Sequence, residues 1–277
     1  MDNYIKIHFN KIASDQAELL LALLSNAGYE GFEEGDEYFS AFIPETAFDE
    51  ATLQSITGSL HLQFEKSIIA SKNWNQEWES SFDPVTVDDF CSIRAAFHSP
   101  VNNMQHEIII TPKQSFGTGH HATTFLMIRQ LKTMELKGKK VFDYGTGTGV
   151  LAILAEKMGA AEVLAIDNDD WSIENAGENI LMNHCTRVKL EKQSVIPSNS
   201  QFDIILANIN KNVITANFQS LADGLVSGGK LVLSGLLKTD EPDILSLSEN
   251  ADLQLQHREE RGEWISLTFK ALKINVY

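Results

Sequence analysis

The spacing of hydrophobic positions changes several times along the chain, and each change predicts an element. Near the start "YIKIHF" alternates, placing Ile5, Ile7 and Phe9 on one face in the period-two pattern of a half-buried strand. From about Asp15 the spacing becomes helical, with Leu20, Leu21, Leu24 and Ala27 on one side and Gly28 as a stop. "YFSAFIP" alternates again as far as Pro44, and "FDEATLQSIT" predicts a second short helix. This β-α-β-α order carries no glycine-rich phosphate turn. It predicts a small α+β unit over residues 1–58 with its sheet open on one side, a docking module rather than a catalytic one. Residues 59–100 are expected to form a linker. Within it "NWNQEWESSFDP" puts Trp74 and Trp78 on one predicted helix face, where paired aromatics more often pack than bind a ligand.

From residue 101 to 277 a different pattern holds. The apolar runs "EIIIT", "KVFDY", "EVLAID", "FDIILAN" and "GKLVLSG" alternate with helix-like runs at 121–134, 149–158, 171–183 and 211–226. Such alternation predicts an α/β domain with a parallel sheet covered by helices on both faces. An acidic helix near 240–250 follows, then "DLQLQHRE" and "EWISLTFKAL", close enough to pair antiparallel. An ordinary dinucleotide fold continues its helix-linked parallel repeat, so this terminal hairpin is a departure.

Composition narrows the class. With 277 residues, 43% of them hydrophobic, the chain can bury the core of one large and one small domain. No apolar run approaches the roughly 20 residues of a membrane helix, and "MDNYIKIHFN" lacks the basic and apolar regions of a signal peptide, so a cytoplasmic protein without membrane contact is expected. Cys91 and Cys185 lie far apart with no CxxC or CxH spacing, which predicts neither a disulfide framework nor a zinc cluster. The net charge of −16 repels a phosphate backbone, so direct nucleic-acid binding is not expected. An acidic surface suits a basic partner, or simple solubility; charge does not separate the two.

Candidate chemistry centres on "VFDYGTGTGV". Here a strand runs into a glycine turn and a helix, and Gly145 and Gly147 allow a ligand to approach main-chain N–H groups. The next strand, "EVLAIDN", ends in Asp167, whose carboxylate can accept both hydroxyls of a ribose, with Asn168 beside it. A structural alternative stays open at this point: the glycines serve only helix packing and Asp167 caps a helix. The arrangement fits either NAD or S-adenosylmethionine. Three features favour the latter. Val150 stands where the dinucleotide fingerprint wants a third small residue; Asp143 would face an ammonium or sulfonium and repel a pyrophosphate; and the terminal hairpin is the edge expected of a methyltransferase sheet. "SFGTGHHATT" is a second glycine-bearing loop, positioned to close over the cofactor, with Thr123 and Thr124 as hydroxyl donors and caps of the helix that follows. His120 and His121, being adjacent, face different ways and make a poor chelating pair, so no metal is expected. "DIILANIN" brings Asn208 to the carboxyl edge of the sheet, where an amide can accept from an amine; a strand-end cap is the alternative.

Taken together, "SFGTGHHATT", "VFDYGTGTGVLAILAEKMGA", "AIDNDDWSIENAGEN", "FDIILANI", "GGKLVLSGLL" and "GEWISL" resemble the PrmA family, which methylates the eleventh protein of the large ribosomal subunit. The likeness begins at about residue 73 with "NWNQEWESSFDPVTV", while over the first 58 residues only size and element order match. The resemblance implies a ferredoxin-like substrate-recognition domain, a linker and a class I, Rossmann-like methyltransferase domain. It implies S-adenosylmethionine as methyl donor and the α-amine and lysines of the ribosomal protein as acceptors. It carries the family's cofactor contacts onto Thr124, Gly145, Asp167 and Asn208, with Phe116, Gly117, Thr118 and Gly119 as a covering loop. Asn208 is also the candidate catalytic residue, aiming the amine. The sequence departs from the family at Thr111, Lys113 and Gln114, where an Asp-Pro-Gly-Met-Ala lead is usual, and at Asn210, where an apolar residue is usual. The first departure bears on loop mobility, the second on the acceptor site. Methylation of another protein, an RNA or a small molecule, or nucleotide binding without turnover, are the alternatives.

Overall fold

A computed structural model describes residues 3–35, 38–69, 83–113, 117–197 and 201–272. The expectations for Trp74, Trp78, Gln114 and Phe116 lie outside the described residues. The chain divides into two compact units, Met1–Glu77 and Trp78–Tyr277.

The first unit runs β1 (Tyr4–Asn10), α1 (Ser14–Asn26), β2 (Gly31–Gly35), β3 (Tyr38–Pro44), α2 (Glu50–Ser59) and β4 (Glu65–Ile69), with strand order β2-β3-β1-β4. The alternation in β1 works as predicted. Ile5, Ile7 and Phe9 lie opposite Ile43, Ala41 and Phe39 of β3, and all six are buried with Leu20, Leu24 and Leu53 of the helices. Two strands escaped the sequence pattern. β2, "GFEEG", and β4, "EKSII", are both edge strands and bury too little to show alternation. With them the order becomes the βαββαβ of a ferredoxin-like unit. The expected boundary at 58 therefore shifts. β4 pairs antiparallel with β1 from Tyr4↔Ile69 to His8↔Glu65, so part of the expected linker completes this sheet.

From Trp78 onward the expected linker belongs to the second unit. β5 (Val85–Val87), β6 (Cys91–Ala95) and β7 (His106–Ile110) form a three-stranded sheet. Val87, Phe90, Cys91, Ile93 and Ala95 are buried in the same cluster as the helices that cover the main sheet. "EIIIT" was expected in the main sheet, but as β7 it pairs parallel with β6 instead, an alignment held by a two-bond contact from Arg94 to Glu107 at 2.8 and 3.0 Å.

The main sheet consists of β8 (Lys140–Tyr144), β9 (Glu162–Asp167), β10 (Val188–Lys192), β11 (Phe202–Asn208), β12 (Leu225–Leu237), β13 (Leu253–Arg261) and β14 (Trp264–Ala271), in the order β10-β9-β8-β11-β12-β14-β13. Five strands are parallel, and β14 runs antiparallel to both β12 and β13. The helices are α3 (Ala122–Lys132), α4 (Val150–Lys157), α5 (Asp170–Met182), α6 (Lys211–Asp223) and α7 (Glu241–Asn250). Successive strand residues point to opposite faces, so Val141, Val163, Ile204 and Val232 pack with α3, α4 and α5, while Phe142, Leu164, Ile205 and Leu231 pack with α6 and α7. The chain reverses direction across the sheet between β8 and β11. In an open α/β sheet the carboxyl ends at such a reversal form the crevice where ligands bind.

Candidate active site

At the end of β8 the turn 145–149 opens α4, whose N-cap is Gly149 in the left-handed region. Gly145 has φ +75°, and a Cβ there would lie 2.3 Å from Ile209 Cγ2. From the other side a Cβ on Gly235 would lie 2.1 Å from the Ile209 carbonyl oxygen, so Ile209 is seated between two positions that admit no side chain.

Four of the turn's five amides are committed within the protein. Gly145 and Thr146 N–H donate to the Ile166 carbonyl at 3.0 and 2.9 Å, Gly149 N–H donates to the Thr146 carbonyl at 2.9 Å, and Gly147 N–H donates to Asp167 Oδ2 at 2.9 Å. This corrects the expectation that Gly145 and Gly147 present amides to a ligand. A phosphate cradle needs those donors aimed outward, so the turn suits a cofactor without a pyrophosphate.

Asp167 is held by Gly147 N–H and, through Oδ1, by Asp169 N–H at 3.1 Å. A carboxylate has about four acceptor positions, so two backbone bonds leave room for a ribose diol. The cap of α5 is Asp169, which accepts from Ser172 N–H at 2.8 Å, so Asp167 is not spent on capping. Asn168, between them, is exposed.

Asp143 is 1% exposed. Its Oδ2 accepts from Thr146 Oγ1 at 2.6 Å and its Oδ1 is buried without a hydrogen-bond partner. Desolvation pushes its carboxyl up to about 7; the Thr146 hydroxyl opposes the rise, the Asp167 charge adds to it and the Ala152 amide opposes it. Asn208, 7% exposed, closes β11. Its Nδ2 donates to Thr124 Oγ1 at 3.3 Å in the first turn of α3, and its Oδ1 is likewise buried without a partner. Two orphaned acceptors near one crevice, each costing on the order of 1–3 kcal/mol, fit a ligand that brings N–H donors or positive charge. S-adenosylmethionine, with a cationic sulfur, an ammonium and no phosphate, fits these residues.

The second glycine loop lies against the first, since Gly117 O accepts from Thr148 Oγ1 at 2.7 Å. Thr118 Oγ1 is 3.3 Å from His120 Nδ1, and a Cβ on Gly119 would meet Ile93 Cδ1 at 2.5 Å. The cap of α3 is His121, not Thr123 or Thr124 as expected. Its Nδ1 accepts from Thr123 N–H at 3.3 Å, and both threonines lie inside the helix, buried. Burial pushes His121 down to about 4, keeping it neutral and able to accept that bond, and its ring meets Trp264 edge-on with centroids 4.6 Å apart. Among the described residues no group of three His, Cys, Asp or Glu is arranged to hold a metal. Cys91 and Cys185 form no disulfide, and desolvation raises their thiols to about 12 and about 11.

At the departures, Lys113 pairs with Glu178 at 2.8 Å, and Asn210 caps α6 by accepting from Val213 N–H at 3.1 Å, a task that commits its amide oxygen. Sequence reasoning missed Thr146, Thr148 and a ladder of asparagines on α5. Asn175 and Asn179, with Asn183 at the C-cap, are buried along one side and bond the backbone at Thr111 and Ile109. Their spacing of four was the available signal.

A parallel sheet with a reversed terminal hairpin, a glycine turn closed to phosphate, an acid at the end of β9 and an amide at the end of β11 define a class I S-adenosylmethionine-dependent methyltransferase. Comparison with known proteins refines the class. The family model described as "Ribosomal protein L11 methyltransferase (PrmA)" matches residues 12–272. The ribosomal protein L11 methyltransferase of Phocaeicola vulgatus is 35% identical over 96% of this chain and 98% of its own length, and that of Porphyromonas gingivalis is 38% identical over 91% and 90%. A crystal structure of ribosomal protein L11 methylase from Lactobacillus delbrueckii subsp. bulgaricus superposes with a TM-score of 0.64 at 29% identity, covering 69% of this chain and all of that one. The chain belongs to the ribosomal protein L11 methyltransferase (PrmA) family.

Proposed function

We propose that this protein methylates amino groups of ribosomal protein L11, its lysine side chains and its N-terminal amine, with S-adenosylmethionine as methyl donor. The observation that carries the reading is the buried, partnerless Oδ1 of Asn208 at the crevice between β8 and β11. When bound, the cofactor supplies a methyl group activated by its positive sulfur. The protein's own part is placement. Thr124 fixes the Asn208 amide, whose Oδ1 accepts an amine N–H and so turns the nitrogen lone pair toward the methyl group. An amide takes no proton at neutral pH, so Asn208 orients the amine and does not deprotonate it. A lysine ammonium, with a pKa of about 10.4, must first lose its proton to water, and burial beside Asn208, itself 7% exposed, favours the neutral form. Asp167 would hold the ribose, and Asp143, whose buried Oδ1 has no hydrogen-bond partner, would offset the positive charge of the cofactor.

The names of the relatives support L11 as acceptor. The net charge of −16 favours a basic ribosomal protein over an RNA backbone, and among the described residues no helix is long and apolar enough to cross a membrane. The small first unit is the docking module in this scheme, and the cytoplasm, where ribosomal proteins are made, is the site of action.

The test is methyl transfer from radiolabelled cofactor into a lysate of the matching organism lacking this enzyme. Label on L11 that protease removes and RNase spares is the expected result. Label that RNase removes, or no transfer to purified L11, overturns the proposal.

A further inference from the structure

Thr148 is fully buried, yet it carries two polar groups that its own helix cannot satisfy. It precedes the N-cap of α4, so its carbonyl lies outside the helical ladder, which begins with Ile153 N–H donating to Gly149 O. That carbonyl is met by Asn179 Nδ2 at 2.8 Å. Its hydroxyl donates to Gly117 O at 2.7 Å. Asn179, also fully buried, uses its Oδ1 to accept from Thr111 N–H at 2.8 Å, and Asn175 Nδ2 donates to the Thr111 carbonyl at 3.1 Å. One turn residue is thus tied to Gly117 directly and to Thr111 through a single amide. A Cβ on Gly117 would stand 2.9 Å from Thr148 Oγ1, so the backbone at 117 rests on that hydroxyl with no room between.

We infer that Thr148 and Asn179 are positioning residues for the cofactor site, setting the glycine turn after β8 against both Thr111 and Gly117. Neither side chain needs to touch the cofactor. Their action is to keep two separately encoded backbone segments in one register, so that the acid at 167 and the amide at 208 face a pocket whose opposite wall is already in place. The inference rests on the reading of this crevice as the S-adenosylmethionine site.

Thr148→Val keeps the shape and removes only the hydroxyl, whereas Thr148→Ser keeps the hydroxyl. Loss of one buried hydrogen bond that orders a binding wall should raise the calorimetric Kd and the KM for S-adenosylmethionine about tenfold in Thr148→Val, with kcat at saturation within about twofold. Thr148→Ser should stay within about twofold of the parent in all three. An affinity in Thr148→Val equal to the parent's overturns the inference, as does a Ser variant as weak as the Val variant, or a fall confined to kcat. Thr148→Ala, which shortens the side chain instead of replacing its hydroxyl with a methyl, carries the same expectation should the Val variant not fold. Asp167→Ala is the control. If it binds weakly while Thr148→Val binds normally, the inference fails and the site stands; if both bind normally, the site itself is elsewhere.

Discussion

Asn208, the last residue of β11, donates its side-chain amide to Thr124 Oγ1 at 3.3 Å in the first turn of α3, across 84 positions of sequence. The bond orients the amide. It turns Nδ2 toward the helix and leaves Oδ1 buried and without a partner.

Asn208→Ala should therefore lower kcat about 100-fold at saturating cofactor and L11, because the amine loses its orienting acceptor. Thr124→Val, which loosens the amide without removing it, should show a smaller loss in the same direction. Steady-state kinetics with both substrates saturating decide this. Normal turnover in the alanine variant removes Asn208 from the reaction.

For Asp143 the sign of the pH effect follows from its raised pKa, about 7 in the folded state against an ordinary 3.8. Between these values the unfolded chain has released the proton and the folded chain still holds it, so this group lowers stability as pH rises from about 4 to 7. Asp143→Asn removes that slope. Relative to the parent, its melting temperature without cofactor should be higher at pH 8 than at pH 5 by at least about 3 °C. A bound cation stabilises the ionised carboxylate, so parental affinity for S-adenosylmethionine should rise over the same range while the variant stays weak and flat. Parallel pH profiles for the two proteins would contradict the placement.

Asp167→Ala removes an acceptor for Gly147 N–H as well as for the ribose. Cofactor affinity should fall about 10- to 100-fold, the usual range for a charge-assisted bond. Calorimetry reading an unchanged Kd would exclude Asp167 from the site.

Ile209 offers a test of stability alone. Gly235→Ala drives a Cβ to 2.1 Å from a backbone oxygen, whereas Gly145→Ala meets the end of a side chain at 2.3 Å, and both sit at positive φ. Both should destabilise by at least about 1 kcal/mol, with Gly235→Ala the larger because backbone yields less than a methyl group. Thermal melts of the two variants rank them.

Removal of residues 1–77, the whole first unit and not merely the first 58, should leave cofactor affinity within about twofold while methylation of intact L11 is lost. Truncation at 58 strands β4 without β1 and should yield a less soluble protein. Retained methylation in the longer truncation would show that recognition of L11 does not need this unit.

Much of this was legible in the order of residues. Periodicity is a local property, and the strands whose alternate residues enter a core, β1, β3, β8, β9, β11 and β12, announced themselves; β2, β4 and β10 did not, because edge strands bury little. Asp143, Gly145, Asp167, Asn208 and Thr124 were also visible as candidates, since each stands at a strand end or a helix start. Their tasks were not visible. Which donors a glycine turn keeps for itself, which of two threonines or a histidine caps a helix, and which acceptor oxygen is left over all depend on atoms far apart in sequence and close in space: Gly147 with Asp167, Thr124 with Asn208, Thr148 with Gly117 and Asn179. Sequence by itself determined the elements and the class of cofactor they suit, because a repeating pattern of apolar side chains encodes burial directly. Only the tertiary structure decided how the polar groups are paired, because each buried donor takes whichever acceptor the packing of the sheet and helices brings within about 3 Å.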